Sequence, residues 1–270
     1  ETQGFGAVIE YPEDSVPHCV APPLETIPAL ETLPVPNPLD AERMRDRIDG
    51  VAAMHAAAAG NYSILGWIEG PAAEAADLRG VGTFLMDLMI DPEYAGALMD
   101  RCVETGIAFA KAQLEAGADT VGIGDAIASQ VSPATYSELI FPREQRLVEG
   151  VHAAGGKVRL HICGDTTHLL PWIAQLGCDI VDLDWQVDFA HARATLGPDQ
   201  CIVTNLDPVR AVMESTPEAI RATVRALYAT AGNPVMVGAG CEIPPGTAHE
   251  LLDALCDPVP WRATPEAPRP

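Results

Sequence analysis

His161 and Cys163 stand two residues apart at the end of a short apolar run, Val158 to Ile162, just before Gly164-Asp165. On a β-strand, residues two apart leave the same face, so the imidazole and the thiol point the same way. A later apolar run, Pro234 to Val237, ends in Gly238-Ala239-Gly240-Cys241. Its glycines let the backbone bend and bring Cys241 to the same end of a sheet. One nitrogen and two sulfurs suit zinc, which favours imidazole and thiolate. Three protein ligands leave a tetrahedral fourth position open, as catalytic rather than structural sites do. Such a site either activates water or binds an incoming thiol as thiolate at neutral pH. Two thiolate ligands make the ion less acidic toward water, which favours the thiol. The competing reading is a small buried hydrophobe for each cysteine and a hydrogen-bonded core residue for the histidine.

Other residues at strand ends carry weaker signals. Asp125 and Asn205 are candidates to orient a substrate, against the alternative of capping the loops that follow them. Asp165 reads as the N-cap of a helix and an outer partner of the metal site. Asp184 and Trp185 either line the mouth or pack its rim, and Glu69 places a carboxylate at a strand end with no role assigned. Cys102, Cys178 and Cys201 fall on apolar faces or beside strands, and Cys19 with His18 is a weaker alternative pair.

The elements that must position these residues alternate regularly. Strands are expected at Ser63 to Ile68, Thr120 to Gly124, Val158 to Ile162, Asp179 to Leu183, Cys201 to Asn205 and Pro234 to Val237. Helices open at Asp91-Pro92, Ser132-Pro133 and Thr216-Pro217, each with a capping side chain followed by Pro at the first helical position. A further helix runs from about Asp40 to Ala59. Short apolar strands alternating with helices mark a parallel sheet covered on both faces, as a barrel or an open doubly wound sheet. No Gly-x-Gly-x-x-Gly fingerprint follows the early strands, which weakens the dinucleotide-binding version. The Pro-rich lead-in of residues 1–38, with one short strand at Gly6 to Glu10, and the tail of residues 258–270 are expected to be irregular.

The chain has 270 residues and a formal charge of −22, which argues against nucleic acid and anionic membranes as partners. It contains no run of eighteen uncharged apolar residues and opens without a secretory signal. Seven scattered cysteines in such a chain read as reduced thiols, so the expected compartment is the cytoplasm.

These residues also carry a family resemblance. Gly4-Phe5-Gly6-Ala7-Val8-Ile9-Glu10-Tyr11, Gly66-Trp67-Ile68-Glu69-Gly70-Pro71, Gly117-Ala118-Asp119 and Ser132-Pro133-Ala134-Thr135-Tyr136 begin the series. His161-Ile162-Cys163-Gly164, Asp182-Leu183-Asp184-Trp185, Asn205-Leu206-Asp207-Pro208 and Gly240-Cys241-Glu242-Ile243-Pro244-Pro245-Gly246-Thr247 complete it. The chain resembles the uroporphyrinogen decarboxylase superfamily, and within it the zinc-dependent methylcobamide:thiol methyltransferases of the coenzyme M type. The resemblance implies an α/β fold, a TIM-type (β/α)8 barrel, over one domain of residues 1–270. It places the zinc ligands on His161, Cys163 and Cys241. It implies methyl transfer between a methylcobamide, held by a corrinoid protein, and a small thiol. The family has two further strands at its N-terminus, so this chain is expected to be truncated or a shortened relative. Its open sheet edge would favour a homodimer. Glu69-Gly70-Pro71-Ala72-Ala73 departs from relatives that carry Phe-Thr after the proline. The rival expectations are a metal-free tetrapyrrole decarboxylase, which would want arginines in the mouth, and a barrel that binds a corrinoid or partner without turnover.

Overall fold

The computed structural model describes residues 1–13, 16–24 and 30–256. The tail expected to be irregular lies outside them, as do parts of the lead-in. By contacts the chain divides into two compact units, residues 1–162 with 175–178, and residues 163–174 with 179–270.

The first unit opens with a hairpin, β1 (Val8–Glu10) paired antiparallel with β2 (His18–Ala21). Only the first of these strands was expected. The second is four residues long, largely exposed and bracketed by Pro17 and Pro22, so it lacks the apolar run that signals a covered strand. Helix α1 (Glu42–Ala58) leads to β3 (Leu65–Glu69), followed by α2 (Pro71–Arg79), α3 (Val81–Ile90) and α4 (Pro92–Glu115). Asp91 caps α4 by accepting from the Tyr94 N–H, as the Asp-Pro pair predicts. Strand β4 (Thr120–Gly124) pairs in parallel with β3 on one side and with β5 (Lys157–Ile162) on the other. Between β4 and β5, α5 (Pro133–Thr135) and α6 (Phe141–Ala153) are joined through a π-helical stretch at Tyr136–Ile140. Pro142 lacks an N–H for the ordinary bond to the preceding turn, and the wider π turn falls in the residues just before it.

The outer edge of β3 is capped by side chains. Gln113 of α4 accepts from the Trp67 N–H and donates to the Trp67 carbonyl, at 3.0 Å each. The Glu1 carboxylate accepts the Glu69 N–H at 2.8 Å. An edge whose peptide groups are already satisfied is a poor template for strand addition. The buried core residues of this unit include Ile68, Val121, Ile123 and Leu160 of the strands and Leu98, Met99, Phe109 and Leu147 of the helices.

The second unit carries α7 (Leu170–Ile173), β6 (Ile180–Leu183), α8 (Phe189–Leu196), β7 (Cys201–Val203), α9 (Pro217–Ala231), β8 (Val235–Met236) and α10 (His249–Leu255). Strand β7 pairs in parallel with β6 and β8. Leu206, Val212, Ile220, Val224, Leu251 and Leu255 form its core. Among the described residues, no helix is long and apolar enough to cross a membrane.

Candidate metal centre

Strand β5 ends at Ile162, and the turn that follows is held by its backbone. Gly164 takes φ 93, a conformation that favours glycine. Its N–H donates to the Asp184 carboxylate at 2.8 Å, while the other Asp184 oxygen accepts from Gln186 N–H at 2.9 Å. Asp184, just after β6, thus pins the residue next to Cys163. Asn205, just after β7, holds the Asp184 segment in turn: its Nδ2 donates to the carbonyls of Asp184 and Val187 at 3.0 and 2.8 Å.

Cys241 is presented by a second close approach. A Cβ on Gly240 would lie 2.4 Å from the Trp185 backbone nitrogen, and the Trp185 N–H donates to the Gly240 carbonyl at 3.1 Å. The Gly240 N–H in turn donates to the Leu206 carbonyl at 2.8 Å. Gly240 therefore serves by lacking a side chain rather than by bending the chain, since its φ is not among the positive ones.

The two sulfurs, Cys163 Sγ and Cys241 Sγ, stand 3.6 Å apart, far beyond a disulfide bond. An imidazole nitrogen of His161 and both sulfurs all lie within 4.8 Å of one another. This is the only such His, Cys, Asp and Glu grouping among the described residues. Around a tetrahedral zinc with Zn–S near 2.3 Å, two sulfurs stand ~3.8 Å apart, so the donor set fits the ion in both chemistry and spacing. The three residues singled out in the sequence come together. The pair His18 and Cys19 does not belong to such a grouping.

The remaining predicted residues have found other partners. Asp125, fully buried, accepts from the N–H groups of Ala72 and Ala73 at 3.2 and 2.7 Å, capping α2, whose own N-cap is Gly70. The loop after Asp125 receives no such bond from its side chain. Asp165 does not cap a helix: its carboxylate accepts from the Thr167 N–H at 3.0 Å and from the Thr167 hydroxyl, and α7 starts only at Leu170. Pro171 explains this, because a helix can begin at proline but cannot run through it from Asp165.

Sequence reasoning missed Glu144. It is completely buried, accepts the Tyr136 hydroxyl at 2.5 Å, and lies beside Asp125. Burial and then the Asp125 charge push its carboxyl well up, and burial raises Asp125 itself to about 7 despite the two amides. The signal was present: Tyr136, Ile140, Glu144, Leu147 and Val151 share one helical face, where an acid among apolar residues is out of place.

Glu69 belongs to the same acidic region. Burial first, then the charges of Glu1, Asp77 and Asp125, raise its carboxyl from 4.5 to about 8, opposed by a hydrogen bond from Trp67. A carboxyl raised in the folded state stabilises fully below its unfolded value, and that contribution is lost as pH rises through the folded value. Zinc-free protein is thus expected to lose thermal stability between about pH 4.5 and 8. Glu69→Gln should flatten that dependence. Identical pH profiles of melting temperature for the two proteins would remove Glu69 as a cause.

Comparison with known proteins extends these findings. The family model for uroporphyrinogen decarboxylase (URO-D) matches residues 1–260. A uroporphyrinogen decarboxylase of Nocardia farcinica is 32% identical over 63% of this chain and 49% of its own length. The methylcobamide:CoM methyltransferase MtbA of Methanosarcina mazei is 31% identical over 66% of the chain and 52% of its own. A methylated-thiol–coenzyme M methyltransferase of the same organism is 30% identical over 89% and 60%. The chain spans about half the length of most curated relatives it matches. A solved methyltransferase structure from Methanosarcina mazei superposes with a TM-score of 0.86 at 23% identity, covering 94% of this chain and 75% of that one. Together with the family match, this likeness bears out the α/β, TIM-type class of the fold.

Proposed function

Since the chain belongs to the uroporphyrinogen decarboxylase family and has methyltransferases among its relatives, we propose that it is an enzyme that transfers a methyl group between a corrinoid and a zinc-activated thiol. The observation that supports this most is the donor set, one imidazole nitrogen and two sulfurs within 4.8 Å of one another. A decarboxylation of porphyrinogens would have no use for two converging thiols. Residues 1–270 are read as a single domain of the family.

His161, Cys163 and Cys241 would hold the zinc. Bound there, the ion supplies the charge that keeps a substrate thiol ionised, where a thiol of pKa ~8.5 is otherwise only roughly 3% thiolate at neutral pH. The other residues act on position. Asp184 fixes the Cys163–Gly164 turn, and Asn205 fixes Asp184, so the ligand set is held from behind. Asp125 acts on His161: its N–H donates to the His161 carbonyl at 3.1 Å while its carboxylate anchors α2. Asp165 is two residues beyond Cys163 and steadies the same loop through Thr167. Methylcobamide carried by a separate corrinoid protein would be the methyl partner, and a small thiol such as coenzyme M the other.

The test is incubation of zinc-loaded protein with methylcobalamin and a panel of small thiols. Loss of the methylated corrinoid spectrum, dependent on both zinc and thiol, is the expected result. Disappearance of uroporphyrinogen III without metal, and no demethylation with any thiol, would favour the decarboxylases of the family instead.

A further inference from the structure

The two sulfurs of the metal centre have a second chemistry open to them when they hold no ion. All seven cysteines of the chain are thiols, and two of them, Cys102 and Cys178, are buried. Cys163 and Cys241 are only partly buried, so a small oxidant can reach them. They belong to the same compact unit, 78 residues apart in sequence, and their sulfurs stand at 3.6 Å. A disulfide needs about 2 Å, so each sulfur has under ~1 Å to travel. Rotation of each side chain about its own Cα–Cβ bond covers that distance with the backbone in place.

What keeps the sulfurs close does not depend on metal. The Gly164 N–H is held by the Asp184 carboxylate at 2.8 Å, which fixes the residue next to Cys163. Gly240, the residue before Cys241, is gripped twice. Its carbonyl accepts the Trp185 N–H at 3.1 Å, and its own N–H donates to the Leu206 carbonyl at 2.8 Å. Asp184, Trp185 and Leu206 lie in the same unit as both cysteines. Loss of an ion therefore leaves two thiols facing each other at contact distance. Groups held in this way react as though each were present at very high concentration. The grip that presents two donors to a metal also presents them to one another.

We propose that Cys163 and Cys241 form a reversible oxidation site, closing to a disulfide under peroxide when the centre is empty and thereby barring zinc until they are reduced. This rests on the reading of both cysteines as metal ligands. One sulfur, as thiolate, attacks a peroxide oxygen; the O–O bond breaks, hydroxide leaves, and a sulfenic acid forms. The second thiolate attacks that sulfur, the S–O bond breaks, and a second hydroxide leaves. The two thiol protons neutralise the two hydroxides. Two thiols and one peroxide thus become a disulfide and two waters, the sulfurs giving up two electrons. Capture by the neighbouring thiol stops the sulfenic acid short of irreversible sulfinic acid. Sulfurs that hold zinc have their electron pairs committed to it, so the loaded centre reacts more slowly.

The test uses protein stripped of metal under reducing conditions, freed of reductant, and given one equivalent of hydrogen peroxide. It should lose two of its seven thiols and about 2 Da, with a proteolytic fragment joining Cys163 to Cys241. The cross-linked protein should take up no zinc until dithiothreitol restores both thiols. Zinc-loaded protein should cross-link at least about tenfold more slowly. Cys163→Ser and Cys241→Ser should not cross-link, and the cysteine left in each should gain about 32 Da as sulfinic acid. Cys256→Ser, which changes an exposed cysteine, should behave as the unaltered chain does. Sulfinic acid in place of the cross-link in the unaltered chain, a disulfide to another cysteine, or zinc uptake by the cross-linked protein would each overturn the proposal. Zinc content of the reduced protein is measured alongside: zinc bound without any cross-link sinks this proposal alone, whereas no zinc bound sinks the methyl-transfer reading and this one with it.

Discussion

Cys241→Ser is expected to reduce bound zinc from about one equivalent per chain to a small fraction of one, and to abolish thiol-dependent demethylation of the corrinoid. The reason is the hardness of the replacement: a hydroxyl ionises far less readily than a thiol and is a poor partner for a borderline-soft ion. With Cys241 gone, only His161 and Cys163 remain, and two donors from one strand do not enclose a tetrahedral ion. The fold should survive, because Cys241 is only partly buried and its neighbours are held by backbone bonds at Gly240. Metal analysis beside far-ultraviolet circular dichroism separates the outcomes. Full zinc content in a folded Cys241→Ser protein would dismiss the residue as a ligand.

Gly240→Ala is expected to act on the same centre by a different route. The added methyl would meet the Trp185 nitrogen at 2.4 Å and its Cα at 2.7 Å, both backbone atoms that no side-chain rotation can move. Relief requires the Gly240 carbonyl to give up its bond from Trp185, displacing the residue that precedes Cys241. An overpacked contact of this kind costs about 1–3 kcal/mol, so a lower melting temperature and weaker zinc retention should appear together. Gly82→Ala is the control: no atom lies within 4 Å of the new methyl, and the site is helical. It should be neutral or stabilise by about 0.5 kcal/mol. If Gly240→Ala matched this control in both melting temperature and zinc content, the close approach would have no functional weight.

Much of this arrangement was legible in the residues. The side-chain–proline pairs Asp91-Pro92, Ser132-Pro133 and Thr216-Pro217 cap helices as read, because a capping oxygen and a fixed φ act locally and owe little to tertiary context. The period of two on β5 placed His161 and Cys163 together for the same reason. Roles that depend on distant neighbours were not legible. Asp125 caps α2, fifty-odd residues earlier in the chain, rather than the loop beside it. Asp184 read as lining the mouth or packing its rim, yet it secures a turn twenty residues before it. Helix α4 buries a polar residue among its apolar ones. Gln113 occupies a buried position on that helix, because its amide mimics a strand for β3, which no propensity scale anticipates.

Asp125 joins three parts of the first unit through one residue. Its amide grips the carbonyl of His161, and its carboxylate grips the first turn of α2. Gly70 lacks a side chain just where the aspartate's Cβ passes, so the linkage has almost no slack. A tug on that helix, from whatever settles against its outer surface, would reach the imidazole as a displacement of its own backbone. The histidine is in this sense tethered to a lever.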